Sequence, residues 1–159
     1  MTEGKTAFQD RIPDIHCFGC GPHNDGGLRI RSYWSGPDEA VCRFTPSSHH
    51  CAGPTHLVNG GIISTLIDCH SCCTAMAEAY RRAGRDIGEG DELIYVTGSL
   101  KITFRAPTPM GELTVRAKIT ETAEKKTALR CVVEAGGAVT AEGEVVAVRV
   151  PASWKAATR

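Results

Sequence analysis

Alternation of apolar and polar residues predicts two strands near the start of the chain and four in its second half. Residues 28–34 and 40–44 form an opening hairpin, because the turn between them supplies a glycine and a proline. A long half-buried strand begins at Leu93, and three shorter alternating segments follow between residues 113 and 150. In the long strand, Ile94, Val96, Leu100, Ile102 and Phe104 share one predicted face, and Tyr95, Thr97, Ser99, Lys101 and Thr103 share the other.

A single long helix is predicted between these groups of strands, from residue 58 to about residue 82. The segment contains no proline and many helix-forming residues. Asn59 is placed to cap its N-terminus, and Gly84 to close its C-terminus. One helix and a mainly antiparallel sheet make an α+β domain with the helix on one face of a curved sheet. Because one helix cannot cover both faces, we expect the sheet to continue into a partner subunit as a homodimer.

The chain length of 159 residues suits one domain. We predict an irregular lead-in over residues 1–26, the domain over residues 27–151 and a frayed tail over residues 152–159.

The 18 basic and 18 acidic residues balance, so no net charge is available to bind nucleic acid or an anionic membrane. Neither a signal-peptide run nor the roughly 20 apolar residues of a membrane span is present, so we expect a cytoplasmic protein.

The eight cysteines are expected to be reduced, since nothing in the sequence directs secretion. Three of them lie in the apolar predicted helix and are expected to pack as small hydrophobic side chains. Cys17 and Cys20, flanked by His16 and His23, have a spacing that a zinc site could use. The sequence shows no second ligand pair with a recognisable spacing, so the favoured interpretation is a structural loop without metal.

Asp68 is the most informative residue, because it is a carboxylate among aliphatic residues in the middle of the predicted helix. Its loss of hydration costs stability unless the group is paired or used. It shares a stripe of small or polar residues with Gly60, Ser64 and Cys72, whereas the bulky residues that should pack under the sheet form another stripe. Asp68 is therefore either a solvated helix residue or a general base or nucleophile in a cleft.

Gly60 lies in the first turn of the predicted helix, where backbone amides are unpaired and the helix dipole is positive. Such an amide can stabilise an oxyanion, and a glycine has no side chain to block an approaching carbonyl group. The alternative is that Gly60 and Gly61 only permit close packing of the helix. Eight residues separate Gly60 from Asp68, a distance of about 12 Å along a helix, too far for both to act on one carbonyl. Two antiparallel helices across a dimer axis would bring Gly60 of one subunit near Asp68 of the other.

With these residues the chain resembles the hotdog-fold acyl-CoA thioesterases of the phenylacetate-pathway and human thioesterase-superfamily type, from about Cys17 to Val150. In that family a His-Gly-Gly motif opens the central helix, and a catalytic Asp or Glu follows eight residues after the first glycine. Here the motif reads Asn59-Gly60-Gly61, and the acid is Asp68. The family's Ser or Thr on the strand after the helix corresponds to Thr97. The lead-in sequence Cys17-Phe18-Gly19-Cys20-Gly21-Pro22 is similar to that of many members.

The resemblance implies a curved antiparallel sheet wrapped around one long central helix, in a homodimer or homotetramer. It implies hydrolysis of an acyl-CoA to a free acid and coenzyme A, without a metal or any cofactor beyond the coenzyme A of the substrate. Asp68 would act as general base or nucleophile, the Gly60 amide as oxyanion donor and Thr97 as the group that orients the attack. The candidate substrate-binding residues are Gly61 and His56.

Two departures from the family pattern bear on activity. The first is Asn59, which replaces the motif histidine; it can cap the helix but cannot act as an imidazole. The second is the absence of the Asn or Gln that family members often carry upstream, near the position of Gly53. A non-catalytic acyl-CoA-binding module or sensor is therefore the alternative function. A hotdog-fold enoyl-CoA hydratase is disfavoured, because Asp68 and His70 lie two residues apart on a helix and point to different sides. The sequence does not specify the acyl group.

Overall fold

The computed structural model describes residues 6–156 of the chain. Six strands form one antiparallel sheet in the order β1-β2-β4-β5-β6-β3, and one long helix, α1, packs against it. This arrangement confirms the predicted α+β fold with a sheet wrapped around one central helix. The elements are β1 (Ser32–Trp34), β2 (Glu39–Phe44), α1 (Gly60–Arg82), β3 (Ile94–Phe104), β4 (Leu113–Thr122), β5 (Lys126–Ala135), β6 (Ala138–Val150) and α2 (Ser153–Ala156).

The apolar stripe of α1 is buried against the sheet as predicted. Ile63, Leu66 and Ile67 are each at most 2% exposed, and burial of such side chains contributes roughly 2 kcal/mol each to folding. Gly143 on β6 lies directly under Ile67, and a side chain at this position would overlap the Cγ2 atom of Ile67. The absence of a side chain there lets the helix approach the sheet closely. The sheet residues in the same core include Leu113, Val115, Val133 and Val145.

The first strand is shorter than predicted, because the alternation of residues 28–34 is interrupted at Arg29. Arg29 has a positive φ of 50°, which is not a strand conformation. The amide of Leu28 donates to the carbonyl of Phe18 at 2.7 Å, and the amide of Ile30 donates to the carbonyl of Gly19 at 3.1 Å. The segment before β1 therefore pairs with the lead-in, although Leu28 and Ile30 are buried as the pattern suggested.

Short helical turns lie near both limits of the described residues. Phe8–Arg11 forms a 3₁₀ turn, and the side chain of Gln9 exchanges two hydrogen bonds of 2.9 Å with Ser32. Ala7, Phe8 and Ile12 are buried, so this part of the predicted lead-in packs onto the core. Within the predicted tail, α2 forms one helical turn. The first five residues of the predicted lead-in and the last three of the predicted tail lie outside the described residues.

A bulge in β3 overturns the predicted faces of this strand. Thr97 pairs with Ala147 and Ser99 pairs with Val146, so Gly98 is an extra residue on β3. The alternation therefore changes phase at this point. Before the bulge, Thr97 faces α1 and Val96 faces away; after it, Ile102 packs into the core beside the helix. The five apolar residues that were predicted to share one face are therefore divided. Those before Gly98 lie on one face of the sheet, and those after it lie on the other.

His70 lies on α1 at the side opposite to β3 and is completely buried. Its Nδ1 atom is 2.8 Å from the hydroxyl oxygen of Ser32, and its Nε2 atom is 3.1 Å from the carbonyl oxygen of Ala40. The carbonyl can only accept, so Nε2 carries the proton and Nδ1 accepts from Ser32. Burial lowers the pKa of His70 to about 4. His70 is thus a neutral core residue that does not share a site with Asp68.

We expect the stability of the fold to decrease as the pH falls from about 6.5 to about 4, with His70 as one cause. In this window the unfolded chain binds a proton at His70 and the folded chain does not, so the free energy of unfolding falls by up to about 1.4 kcal/mol per pH unit. Urea unfolding followed by circular dichroism between pH 7 and pH 4 measures the slope. His70→Gln should reduce it, and His23→Gln, on an exposed residue, should not. An unchanged slope in His70→Gln would contradict this assignment.

None of the helices within residues 6–156 combines the length and the apolar character needed to cross a membrane.

Candidate active site

The carboxylate of Asp68 lies on the side of α1 that faces β3. Its Oδ1 atom accepts a hydrogen bond from the hydroxyl of Thr97. The register of β3 before the bulge directs Thr97 toward the helix. The structure therefore brings together the two residues that were predicted to carry out and orient the attack.

Cys72 extends this pair to a chain of three groups. Its sulfur lies 3.1 Å from the Thr97 hydroxyl oxygen and 4.0 Å from Oδ1 of Asp68. Burial is the main cause that raises the pKa of Cys72 to about 11, so the thiol is protonated near neutral pH and can donate to Thr97. The sequence placed Cys72 on the stripe of Asp68 but assigned it no role. Because Cys72 lies one helical turn after Asp68, the sequence could have indicated that the two side chains are neighbours.

A cavity of about 420 Å³ opens beside Asp68 and Thr97. Its volume is within the range of small-molecule sites in proteins. The walls come from the lead-in, α1, the start of β3 and α2. Because these walls are mainly apolar and include the carboxylate of Asp68, the cavity can hold an apolar group beside Asp68. The apolar lining residues include Ile12, Ile15, Met76, Leu93, Tyr95 and Trp154.

The other predicted site residues lie at the N-terminus of α1. Asn59 is the N-cap as predicted, and its Oδ1 atom accepts from the Gly61 amide at 2.7 Å. The Gly60 amide precedes the first hydrogen bond of the helix and has no partner among the described residues. His56 is exposed, and its carbonyl accepts from the amide of Met110 at 2.9 Å. None of these residues lines the cavity of Asp68.

The predicted site is thus divided into two groups within one chain. Asp68 and Thr97 form one group, and the free amide of Gly60 belongs to the other. Eight residues of continuous helix separate Gly60 from Asp68, which corresponds to about 12 Å along the axis. One carbonyl group cannot reach both from the same chain.

A larger cavity, of about 720 Å³, lies near the C-terminal end of α1. Its wall contains Arg11, Arg81 and Arg85, and the Arg81 guanidinium lies 4.2 Å from the ring centroid of Trp34. No residue of the predicted site lines it. The smaller cavity, which contains a carboxylate held by a hydroxyl group, is therefore the candidate active site.

Three cysteine sulfurs lie beside Asp68 in the wall of the smaller cavity. The sulfur of Cys17 is 3.7 Å from that of Cys69, and the sulfurs of Cys17, Cys20 and Cys69 all lie within 4.8 Å of one another. Hydrogen bonds from the other two thiols lower the pKa of Cys17, and the contact with Cys17 is the main cause that raises the pKa of Cys20 and of Cys69. Of the three helical cysteines, Cys69 and Cys73 are buried as predicted and Cys72 is partly exposed. Cys69 also takes part in this cluster.

The model of the thioesterase superfamily matches residues 56–142, a segment that includes every predicted site residue. Among solved structures, thioesterase HI1161 from Haemophilus influenzae is similar, with a TM-score of 0.65, 11% identity, and coverage of 82% of this chain and 85% of that one. For conserved protein PA5202 from Pseudomonas aeruginosa, the TM-score is 0.62 and the identity 16%, with coverage of 77% and 90%.

The PaaI protein from the phenylacetic acid degradation operon of E. coli is also similar, with a TM-score of 0.62, 17% identity, and coverage of 78% of this chain and 81% of that one. At these identities the likeness shows a common fold. A search of curated proteins found no match to the sequence.

Proposed function

Because the chain belongs to the thioesterase superfamily, we propose that it hydrolyses an acyl-CoA thioester to a free acid and coenzyme A. One observation supports this above all: the carboxylate of Asp68 accepts a hydrogen bond from Thr97 in the wall of a mainly apolar cavity. An acyl chain in this cavity would place its thioester carbonyl near Asp68. The hydroxyl of Thr97 holds the carboxylate in one orientation, as a group that activates water requires.

The complete site needs a second copy of the chain. β3 is an edge strand, and two of its large apolar side chains are exposed, Leu100 to 38% and Phe104 to 52%. An unpaired edge of this kind readily pairs with another strand. Antiparallel pairing of β3 with its copy extends the sheet and sets the two α1 helices antiparallel. The Gly60 amide of one subunit then faces Asp68 of the other, and such dimers can pair further into tetramers.

Hydrolysis proceeds by acyl transfer to water. With Asp68 as general base, the carboxylate takes a proton from water, and the hydroxide oxygen bonds to the thioester carbon. The carbonyl oxygen becomes an oxyanion and accepts from the Gly60 amide of the partner subunit. The C–S bond then breaks, and the thiolate of coenzyme A receives the proton from Asp68. With Asp68 as nucleophile, an acyl-aspartate anhydride forms first and water cleaves it.

The residues around these groups have supporting roles. Asn59 fixes the start of α1 through its bond to the Gly61 amide, which leaves the Gly60 amide free for substrate. Gly61 and His56 are exposed beside this helix end and are placed to contact the coenzyme A portion of the substrate. The scheme requires only Asp68, Thr97, water and a backbone amide, and no cofactor takes part. Acyl-CoA substrates are intracellular, which agrees with the expected cytoplasmic location.

Release of free thiol from acyl-CoA tests the proposal. A panel of short, medium, long and aryl acyl-CoAs should include at least one substrate cleaved with a kcat/KM of about 10⁴ M⁻¹s⁻¹ or more. Coenzyme A and the acid should appear in equal amounts by mass spectrometry. Binding of an acyl-CoA without release of thiol would replace hydrolysis with the alternative function, an acyl-CoA-binding module.

A further inference from the structure

The fold supplies the second pair of cysteines that the sequence alone did not place beside Cys17 and Cys20. Cys69 and Cys73 lie one turn apart on α1 and turn the same side to the lead-in. The sulfurs of Cys17, Cys20 and Cys69 all lie within 4.8 Å of one another. Cys73 is outside this group of three, but it belongs to the buried cluster against which Cys20 packs. A C-x-x-C loop therefore faces a C-x-x-x-C helix turn.

We propose that Cys17, Cys20 and Cys69 bind one zinc ion as thiolates, and that Cys73, one helical turn after Cys69, turns its side chain to supply the fourth ligand. In a tetrahedral site with Zn–S bonds of about 2.3 Å, neighbouring sulfurs are about 3.8 Å apart. The distance of 3.7 Å between the sulfurs of Cys17 and Cys69 matches this value. It is far longer than the disulfide S–S bond of about 2.05 Å. On binding, the thiols release their protons to solvent and the zinc ion keeps its charge of two.

A tight turn of the lead-in holds Cys17 and Cys20 close together, with their sulfurs within 4.8 Å of each other. A hydrogen bond of 2.8 Å from the Gly21 amide to the Cys17 carbonyl closes this turn. Two cysteines held in one turn can bind the same metal ion.

Gly19 lets the loop approach the helix. A side chain at this position would overlap the sulfur of Cys69 and lie 2.8 Å from Cγ2 of Thr65. With glycine, the loop backbone lies directly against α1, which brings the two cysteine pairs together.

Three features of the site would favour zinc over other metals. The ligands are sulfur, which binds soft or borderline cations and not magnesium or calcium. The sulfurs of Cys17, Cys20 and Cys69 are close enough to share one metal ion, and Cys73 is within one helical turn of Cys69. No position is left for water once Cys73 completes the set, so the role is structural. The ion would clamp the lead-in to α1 next to Asp68, where both form the wall of the substrate cavity.

Metal analysis of the whole protein tests this proposal without reference to turnover. Protein purified under reducing conditions without chelators should contain about one zinc ion per chain by mass spectrometry. After removal of zinc, titration with Co²⁺ should produce a thiolate-to-cobalt charge-transfer band that saturates at one equivalent, with visible bands of tetrahedral intensity. Absence of both stoichiometric zinc and the charge-transfer band would overturn the proposal. The proposal would also be overturned if the native protein contained iron with inorganic sulfide, or a disulfide bond between two of the four cysteines.

Single substitutions identify the ligands. Cys17→Ser, Cys69→Ser and Cys73→Ser should each weaken zinc binding at least about ten-fold. Cys51→Ser is the matched control, because Cys51 is a partly buried cysteine outside the cluster, and it should keep the native zinc content. If a ligand variant fails to fold, the Co²⁺ titration of the native protein still decides. An unchanged cobalt spectrum in Cys73→Ser would overturn the assignment of four thiolates.

Discussion

Asp68→Asn is expected to lower kcat for acyl-CoA hydrolysis by about 10²- to 10⁴-fold, the usual contribution of a general base. Asparagine has the shape of aspartate but cannot take a proton from water or attack as a carboxylate. Its side-chain oxygen can still accept the hydrogen bond from Thr97. The loss should therefore appear in kcat, while the fold and the affinity for acyl-CoA are kept. Thiol release at saturating substrate measures kcat, and calorimetry measures binding.

Asp25→Asn is the control for this change. Asp25 has a side chain that is 97% exposed, and it forms an ion pair with Arg29 on the surface, away from the cavity of Asp68, so native kcat is expected. Asp68→Asn must also remain folded and dimeric, as circular dichroism and light scattering can show. Turnover by a folded Asp68→Asn dimer within about three-fold of the native rate would exclude Asp68 from catalysis.

Gly60→Pro is expected to lower kcat by about 10²- to 10³-fold, the cost of one lost oxyanion donor. Proline removes the backbone N–H at this position and nothing else that the mechanism uses. It is well tolerated at the first position of a helix. The preceding residue must then be extended, and Asn59 already has φ −61° and ψ 135°. The helix should therefore form normally, and thiol release should report the missing amide.

Gly60→Ala is the matched control, because alanine keeps the amide and adds one methyl group near the ring of Phe104. That ring is 52% exposed in the single chain, so the loss of activity should be smaller than in Gly60→Pro. Equal losses in Gly60→Ala and Gly60→Pro would point to a steric effect and remove the amide from the mechanism.

Mixing the two inactive subunits tests whether the site is shared. A mixed dimer of Asp68→Asn and Gly60→Pro chains contains one intact site, made from the native Gly60 of the first chain and the native Asp68 of the second. Random association makes half of the dimers mixed, so activity should recover to about a quarter of the native value. Differently tagged subunits allow the mixed dimers to be purified and counted. No recovery in verified mixed dimers would place both groups of a site in one subunit.

The central helix was predictable because its signals are local. Asn59 caps it, an apolar stripe runs along it, and Gly84 follows its end with a positive φ of 67°. The strands of the second half also follow from alternation and turn residues, which act over short distances in sequence. Asp68 could be singled out for the same reason, since a carboxylate between Ile67 and Cys69 is anomalous in any helix that packs on a sheet.

Features that depend on distant residues were not predictable. The bulge at Gly98 arises from pairing with β6. The alternation of apolar and polar residues along β3 does not show where the strand holds one extra residue relative to its partner. Arg29 leaves the strand conformation because the neighbouring amides bond to the lead-in. The partnership of Cys17 with Cys69 spans 52 residues, so spacing rules for metal ligands could not connect them.

The contact between Gly143 and Ile67 has a consequence for how this protein can change over generations. Ile67 directly precedes Asp68 on α1, so the depth at which the helix lies on the sheet also sets how far the carboxylate stands from Thr97. Displacements of about 1 Å in such a pair can alter rates by about a hundred-fold. A mutation at position 143 would therefore tune or abolish turnover without touching substrate, and selection on activity should constrain a residue remote from the chemistry.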